Sequence, residues 1–158
     1  MKISEIIPKD KIIPQLKGRS KEEVINELAD LFKDDPRVYD FEALKNDIFK
    51  REKIMSTGIG NGIAIPHCTT NVVKEYIAAF GRSPVPVEFG AIDNQPVSIF
   101  FLIAGNDVKQ HMKLLGSLTK FMKNEIKEQL LGAKNSDEIY HVFKEFEERF
   151  LNNPALNR

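Results

Sequence analysis

Two imidazoles, one guanidinium and a cluster of glycines are the groups in this chain whose types and spacing could do chemistry. The stretch Ser56-Thr57-Gly58-Ile59-Gly60-Asn61-Gly62-Ile63-Ala64-Ile65-Pro66-His67 holds three glycines in five positions. Glycine sits where a chain must reach unusual φ/ψ or let something approach its backbone. Ile63-Ala64-Ile65 reads as a short buried strand. Pro66 stops it, so the ring of His67 leaves the strand end at a defined angle. Just upstream, Lys50-Arg51-Glu52-Lys53 supplies a guanidinium. An imidazole of ordinary pKa, about 6.5, is mainly the neutral nucleophile at neutral pH. Attack on a phosphoryl group asks little of a protein beyond positioning and charge stabilisation. Arg51 could present a bidentate fork to the phosphoryl oxygens. The N–H groups of a loop holding Thr57, Gly58, Gly60 and Gly62 could form an anion-binding nest. His111 could donate a further hydrogen bond. His67, His111 and Arg51 are therefore the candidate catalytic set.

Plainer readings stand beside this one. His67 could be a strand-end histidine satisfied by backbone, and His111, in the first turn of a helix, could serve as a cap. His141 lies opposite Val142, Phe143 and Phe146 on an amphipathic pattern and reads as a solvated surface residue. No metal site is expected at His67, Cys68 and His111. Adjacent extended side chains diverge, and the CxxC and HExxH patterns of zinc sites are absent. Nothing places a base for Cys68 to act as a nucleophile. The loop lacks the Gly-Lys-Ser/Thr ending of a Walker A motif and the dinucleotide fingerprint. No cofactor is expected.

The elements that must position these groups follow from local signals. Ile12-Ile13 is a candidate short strand. Ser20 to Glu23 has capping-box spacing, and the helix it opens turns Val24, Leu28 and Leu31 inward until Asp34-Asp35-Pro36 ends it. Asp40 caps a second helix that runs toward Arg51 and delivers the basic cluster to the loop. Tyr76 to Phe80 reads as a strand, with a break at Pro84 and Pro86 before Val87-Glu88-Phe89. Val97 to Ile103, almost entirely apolar and β-prone, reads as a central strand buried on both faces. Helices are expected over about Val108 to Met122 and Glu125 to Leu131. A last one, capped by Asn135-Ser136-Asp137-Glu138, turns Ile139, Val142, Phe143, Phe146 and Phe150 inward. A polar tail follows from about Asn152. This order suggests an α/β fold, a three-layer α/β/α sandwich around a mixed central sheet.

A length of 158 residues fits a single domain over 1–158. Lys+Arg and Asp+Glu are both 23, and this balance argues against a nucleic-acid partner. Glu5 interrupts the only candidate signal-peptide core, and no apolar run approaches the ~20 residues that span a bilayer, so no direct membrane insertion is expected. The one cysteine forms no intrachain disulfide, which fits a cytoplasmic location.

The stretch from Arg51-Glu52 through the glycine loop to His67 closely resembles the active-site signature of type-2 enzyme IIA domains. These belong to the phosphoenolpyruvate-dependent sugar phosphotransferase system, in its fructose, mannitol and nitrogen-regulatory branch. The resemblance continues through Ala91-Ile92-Asp93-Asn94-Gln95-Pro96-Val97, the strand to Ile103, His111 with Leu114, Leu115 and Leu118, and Ala133 to Ile139. It implies that His67 is phosphorylated on Nε2 by the phosphocarrier HPr, with His111 supporting and Arg51 stabilising the phosphate. It also implies a phosphotransferase that hands the group to a cysteine of a separate enzyme IIB partner in sugar uptake. A second reading is a stand-alone regulator of the nitrogen-regulatory type, whose phosphorylation state decides which target proteins it binds. A binding domain that has lost phosphotransfer is the third.

Overall fold

The computed structural model describes residues 2–122 and 124–152, with Asn124 and the last three by backbone alone. The expected inward side chain of Phe150 and the polar tail beyond Asn152 lie outside that description. The elements run α1 (Ile3–Ile6), β1 (Ile12–Ile13), α2 (Lys21–Ala29), α3 (Phe41–Ile54), β2 (Gly58–Gly60), β3 (Ile63–Ala64), β4 (His67–Thr69), β5 (Ile77–Val87), β6 (Val97–Gly105), α4 (Val108–Phe121), α5 (Asn124–Gly132) and α6 (Ser136–Asn152). The expected caps are in place. The Ser20 hydroxyl accepts from Glu23 N at 3.2 Å, and the Asp40 carboxylate from Ala43 N at 3.1 Å. Each satisfies an N–H that the first helical turn leaves unpaired.

The sheet runs β1-β5-β6-β3-β2, with β4 also paired to β6. β5 is antiparallel to β6, whereas β3 and β4 are parallel to it, so the sheet is mixed. β6 is its centre and is buried on both sides. Ile99, Phe101 and Ile103 join a core built with α1, α4, α5 and α6. Phe100, Leu102 and Ala104, pointing the other way, pack with residues of α2 and α3 such as Val24, Leu28, Leu44 and Ile48. The period of two along one strand thus feeds two hydrophobic cores, which makes a three-layer α/β/α sandwich. Phe101 sits among aromatic rings, 5.1 Å from Phe80 and 6.3 Å from Phe143 by centroid.

Two local expectations are corrected and a third is extended. The strand expected to end at Phe80 continues as β5 to Val87, through Pro84 and Pro86. Its ladder to β6 is irregular between Arg82 and Val87, and a proline costs no ladder bond where the pairing is already interrupted. β3 does end at Ala64, just before Pro66, but strand structure resumes beyond it. β4 resumes at His67 on the same neighbour, with His67 opposite Ile103. The first half of the glycine stretch is also not a free loop. Gly58–Gly60 form β2, antiparallel to β3, and Gly60, Asn61 and Gly62 make the turn with φ of 96°, 57° and 75°. Three successive left-handed residues are the reason two of them are glycine.

Candidate functional site

His67 is the first residue of β4, opposite Ile103 near the carboxyl end of β6, and His111 sits in the first turn of α4, just beyond that end. Ligand sites of α/β sheets gather at such strand ends. The two rings face each other with centroids 5.1 Å apart, tilted by 45°. A cleft of about 680 Å³ holds both, bordered by Asp47 and Arg51 of α3 and by Val108 and Met112 of α4. A second cleft shares His67 and Arg51 and is lined further by Thr57, Gly58, Ile65 and Ile92. The structure therefore brings His67, His111 and Arg51 together, with Thr57 and Gly58 beside them.

The backbone fixes the state of His67. Its Nδ1 lies 2.7 Å from the carbonyl oxygen of Ile65. A carbonyl only accepts, so Nδ1 carries the proton and Nε2 keeps the lone pair. The half-buried ring has its pKa lowered, chiefly by burial and further by the Arg51 charge, against the Ile65 hydrogen bond that raises it. His67 is thus a neutral base of defined tautomer at pH 7.

His111 differs. It is 4% exposed, and neither ring nitrogen has a hydrogen-bond partner among the described residues. Burial, with the charges of His67 and Arg51, pushes its pKa down to about 4. It does not cap α4, because Asp107 does so by accepting from Gln110 N at 3.2 Å. A buried imidazole of this kind is rare, and this ring lines the cleft opposite His67.

Tyr76 was no candidate by sequence, yet it braces His111. Its ring stacks on the imidazole at 6.1 Å and 21°. The Asp107 carbonyl accepts both the Tyr76 hydroxyl, at 2.6 Å, and His111 N–H, at 3.0 Å. Gly105 leaves the room, since a Cβ there would stand 2.2 Å from the tyrosine ring.

Arg51 lies in the last turn of α3 and donates to the Met55 carbonyl at 2.9 Å. Its fork has further N–H groups to offer the cleft. Three of the loop amides are occupied. Thr57 N–H donates to Glu52, Gly58 N–H to the Ser56 hydroxyl and Asn61 N–H to Asp93. Gly60 and Gly62 form the turn and line neither cleft at His67. The thiol of Cys68 is buried and pushed up to about 12, mainly by burial, so it stays protonated. His141 is exposed on α6 beside Glu145, as its pattern suggested. No group of three or more metal-ligating side chains occurs among the described residues, and no helix there is long and apolar enough to cross a membrane.

A mixed sheet covered by helices on both faces, with two histidines paired near the carboxyl end of its central strand, is an α/β sandwich of the enzyme IIA type. Residues 5–146 match the family described as phosphoenolpyruvate-dependent sugar phosphotransferase system, EIIA 2, and the chain belongs to that family. It is 37% identical over 148 residues to the PTS system fructose-specific EIIABC component of Bacillus subtilis (strain 168), a match covering 92% of this chain and 23% of that protein. The chain thus spans about a quarter of that relative's length. Identity to the nitrogen regulatory protein of Pseudomonas aeruginosa PAO1 is 28% over 145 residues, covering 90% of this chain and 94% of that one. The crystal structure of nitrogen regulatory protein IIA-Ntr from Neisseria meningitidis superposes with a TM-score of 0.81 at 30% identity, covering 89% of this chain and 98% of that one.

Proposed function

We propose that residues 1–158 act as one cytoplasmic enzyme IIA unit that accepts a phosphoryl group from HPr on Nε2 of His67. The group then passes to a cysteine of an enzyme IIB partner during sugar uptake. The observation that carries this reading is the Nδ1–H bond to the Ile65 carbonyl, which leaves Nε2 with its lone pair. In the transfer, Nε2 attacks phosphorus in line as the P–N bond to the donor imidazole breaks and its electron pair returns to the donor ring. Positive charge grows on the His67 ring, and the Ile65 carbonyl stabilises it at Nδ1. Arg51 neutralises the phosphoryl oxygens. His111, neutral at pH 7, donates its one N–H to the same oxygens. The glycine loop contributes by holding His67 rather than by cradling phosphate with its own amides.

The test is intact-mass analysis after incubation with phosphoenolpyruvate, enzyme I and HPr. One acid-labile phosphate on the wild type and none on His67→Ala is the expected result. Equal labelling of both would overturn the assignment.

A second reading, a regulator whose phosphorylation state selects its target proteins, draws support from the relatives called nitrogen regulatory proteins, one of which this chain matches over 94% of its length. A phosphoryl group adds about −1.5 to −2 charge. It would do so beside the exposed apolar side chains of Ile54 and Met112, which border the cleft at His67. Chasing the labelled protein with enzyme IIB separates the readings, because a carrier loses its phosphate to the cysteine and a regulator keeps it.

A further inference from the structure

Glu52 stands where a carboxylate should be unwelcome. It is 6% exposed, in the last turn of α3, where the helix dipole already presents negative charge. A buried charge needs partners, and three donors converge on it. Thr57 N–H reaches Oε2 at 2.6 Å, the Thr57 hydroxyl reaches Oε1 at 2.5 Å, and Lys21 Nζ of α2 stands 3.4 Å from Oε2.

The bonds do not end at Thr57. Its carbonyl accepts from Ile65 N–H at 3.0 Å, and the Ile65 carbonyl is the group that accepts Nδ1–H of His67 at 2.7 Å. Glu52 is therefore joined to the imidazole through two residues, each bonded on one side toward the carboxylate and on the other toward the ring. Ser56 adds a neighbouring brace, donating its hydroxyl to the Phe89 carbonyl at 2.8 Å, and the ammonium of Lys21 lies 4.8 Å over the Phe89 ring. With the start of the loop held at these points, the position of the Ile65 carbonyl follows from how firmly Thr57 is held.

We propose that Glu52 is the positioning residue of His67: through Thr57 and Ile65 it holds the carbonyl that keeps the proton on Nδ1 and leaves Nε2 to attack. This rests on His67 being the phosphoryl acceptor. Lys21 completes the device by supplying the counter-charge from α2. In the sequence Glu52 stands in a charged cluster at a helix end, at the start of the signature-like stretch and with no role of its own, and the convergence on Thr57 appears only once the chain has turned back from Met55.

The test is ¹⁵N NMR of histidine-labelled, unphosphorylated protein, run beside the rate of phosphoryl uptake from phospho-HPr. Wild-type His67 should show one tautomer, protonated on Nδ1. In Glu52→Gln one of the two carboxylate oxygens that accept from Thr57 becomes an NH2 donor, and the charge that faces Lys21 is lost. His67 should then become a mixture of tautomers, with uptake slowed by about 10- to 100-fold and the His141 signals unmoved. Thr57→Val, which removes only the hydroxyl bond, should move both readouts in the same direction by less, and it carries the test if Glu52→Gln does not fold. Folded variants that retain a single Nδ1–H tautomer and the wild-type rate would overturn the proposal. The tautomer is measured without any donor, so a failure of positioning and a failure of His67 as acceptor are read separately.

Discussion

His67 and His111 stand 5.1 Å apart and are held in opposite ways. The first is tied by a ring nitrogen to the backbone of its own strand track, and that backbone is tied to Glu52. The second has no hydrogen bond at either ring nitrogen among the described residues and packs against the Tyr76 ring, buried in the first turn of α4. An attacking atom needs its orientation settled before the encounter, because angular error costs rate directly. A group that stabilises charge on arriving oxygens is more useful with its donor uncommitted. In the proposed transfer, the two sides of the cleft divide these tasks.

The division can be broken at different depths. Removing the attacking atom should have the largest effect: His67→Ala should take no phosphate at all, as intact mass will read. Next comes Arg51→Ala. Loss of a charge-assisted hydrogen bond worth about 1.5–3 kcal/mol should slow transfer roughly 10- to 150-fold while the label stays on His67. His111→Ala should do less, since a neutral donor contributes about 0.5–1.5 kcal/mol. A rate reduced roughly 2- to 13-fold, with His67 still labelled, is expected from rapid-quench assays.

The smallest effect sharpens the comparison through pH. The pKa of His111 is pushed down to about 4 from its ordinary 6.5. Between these values the unfolded chain binds the proton more readily than the folded one, so folding stability rises with pH across that window. The stabilisation is fully present above pH 6.5 and is lost as pH falls toward 4. His67, also lowered, contributes with the same sign. Denaturation midpoints at pH 7.5 and 5 should therefore lie closer together in His111→Phe than in the wild type.

Much of this was legible in the sequence where the signal is local. Ser20 and Asp40 announce their helices because capping is settled within a few residues. Val97 to Ile103 announces a central strand because a strand covered on both faces has no polar side to show. His67, His111 and Arg51 stood out by type and setting, and the fold brings them to one cleft. What was hidden depends on partners distant in the chain. Gly58–Gly60 reads as a loop until β3 offers it a ladder. The prolines of β5 mislead because the gap in its pairing to β6 is a tertiary fact. Tyr76 gains its place only through the space left at Gly105, and Glu52 only through Thr57, after α3 has ended.

The central claim is that Nε2 of His67 is the nitrogen that takes the phosphate. Two-dimensional ³¹P–¹⁵N correlation spectroscopy of the phosphorylated, histidine-labelled protein tests it directly. One phosphorus coupled to Nε2 of His67 is expected, with Nδ1 still protonated against the Ile65 carbonyl. Coupling to Nδ1 of His67, or to either nitrogen of His111, would contradict it.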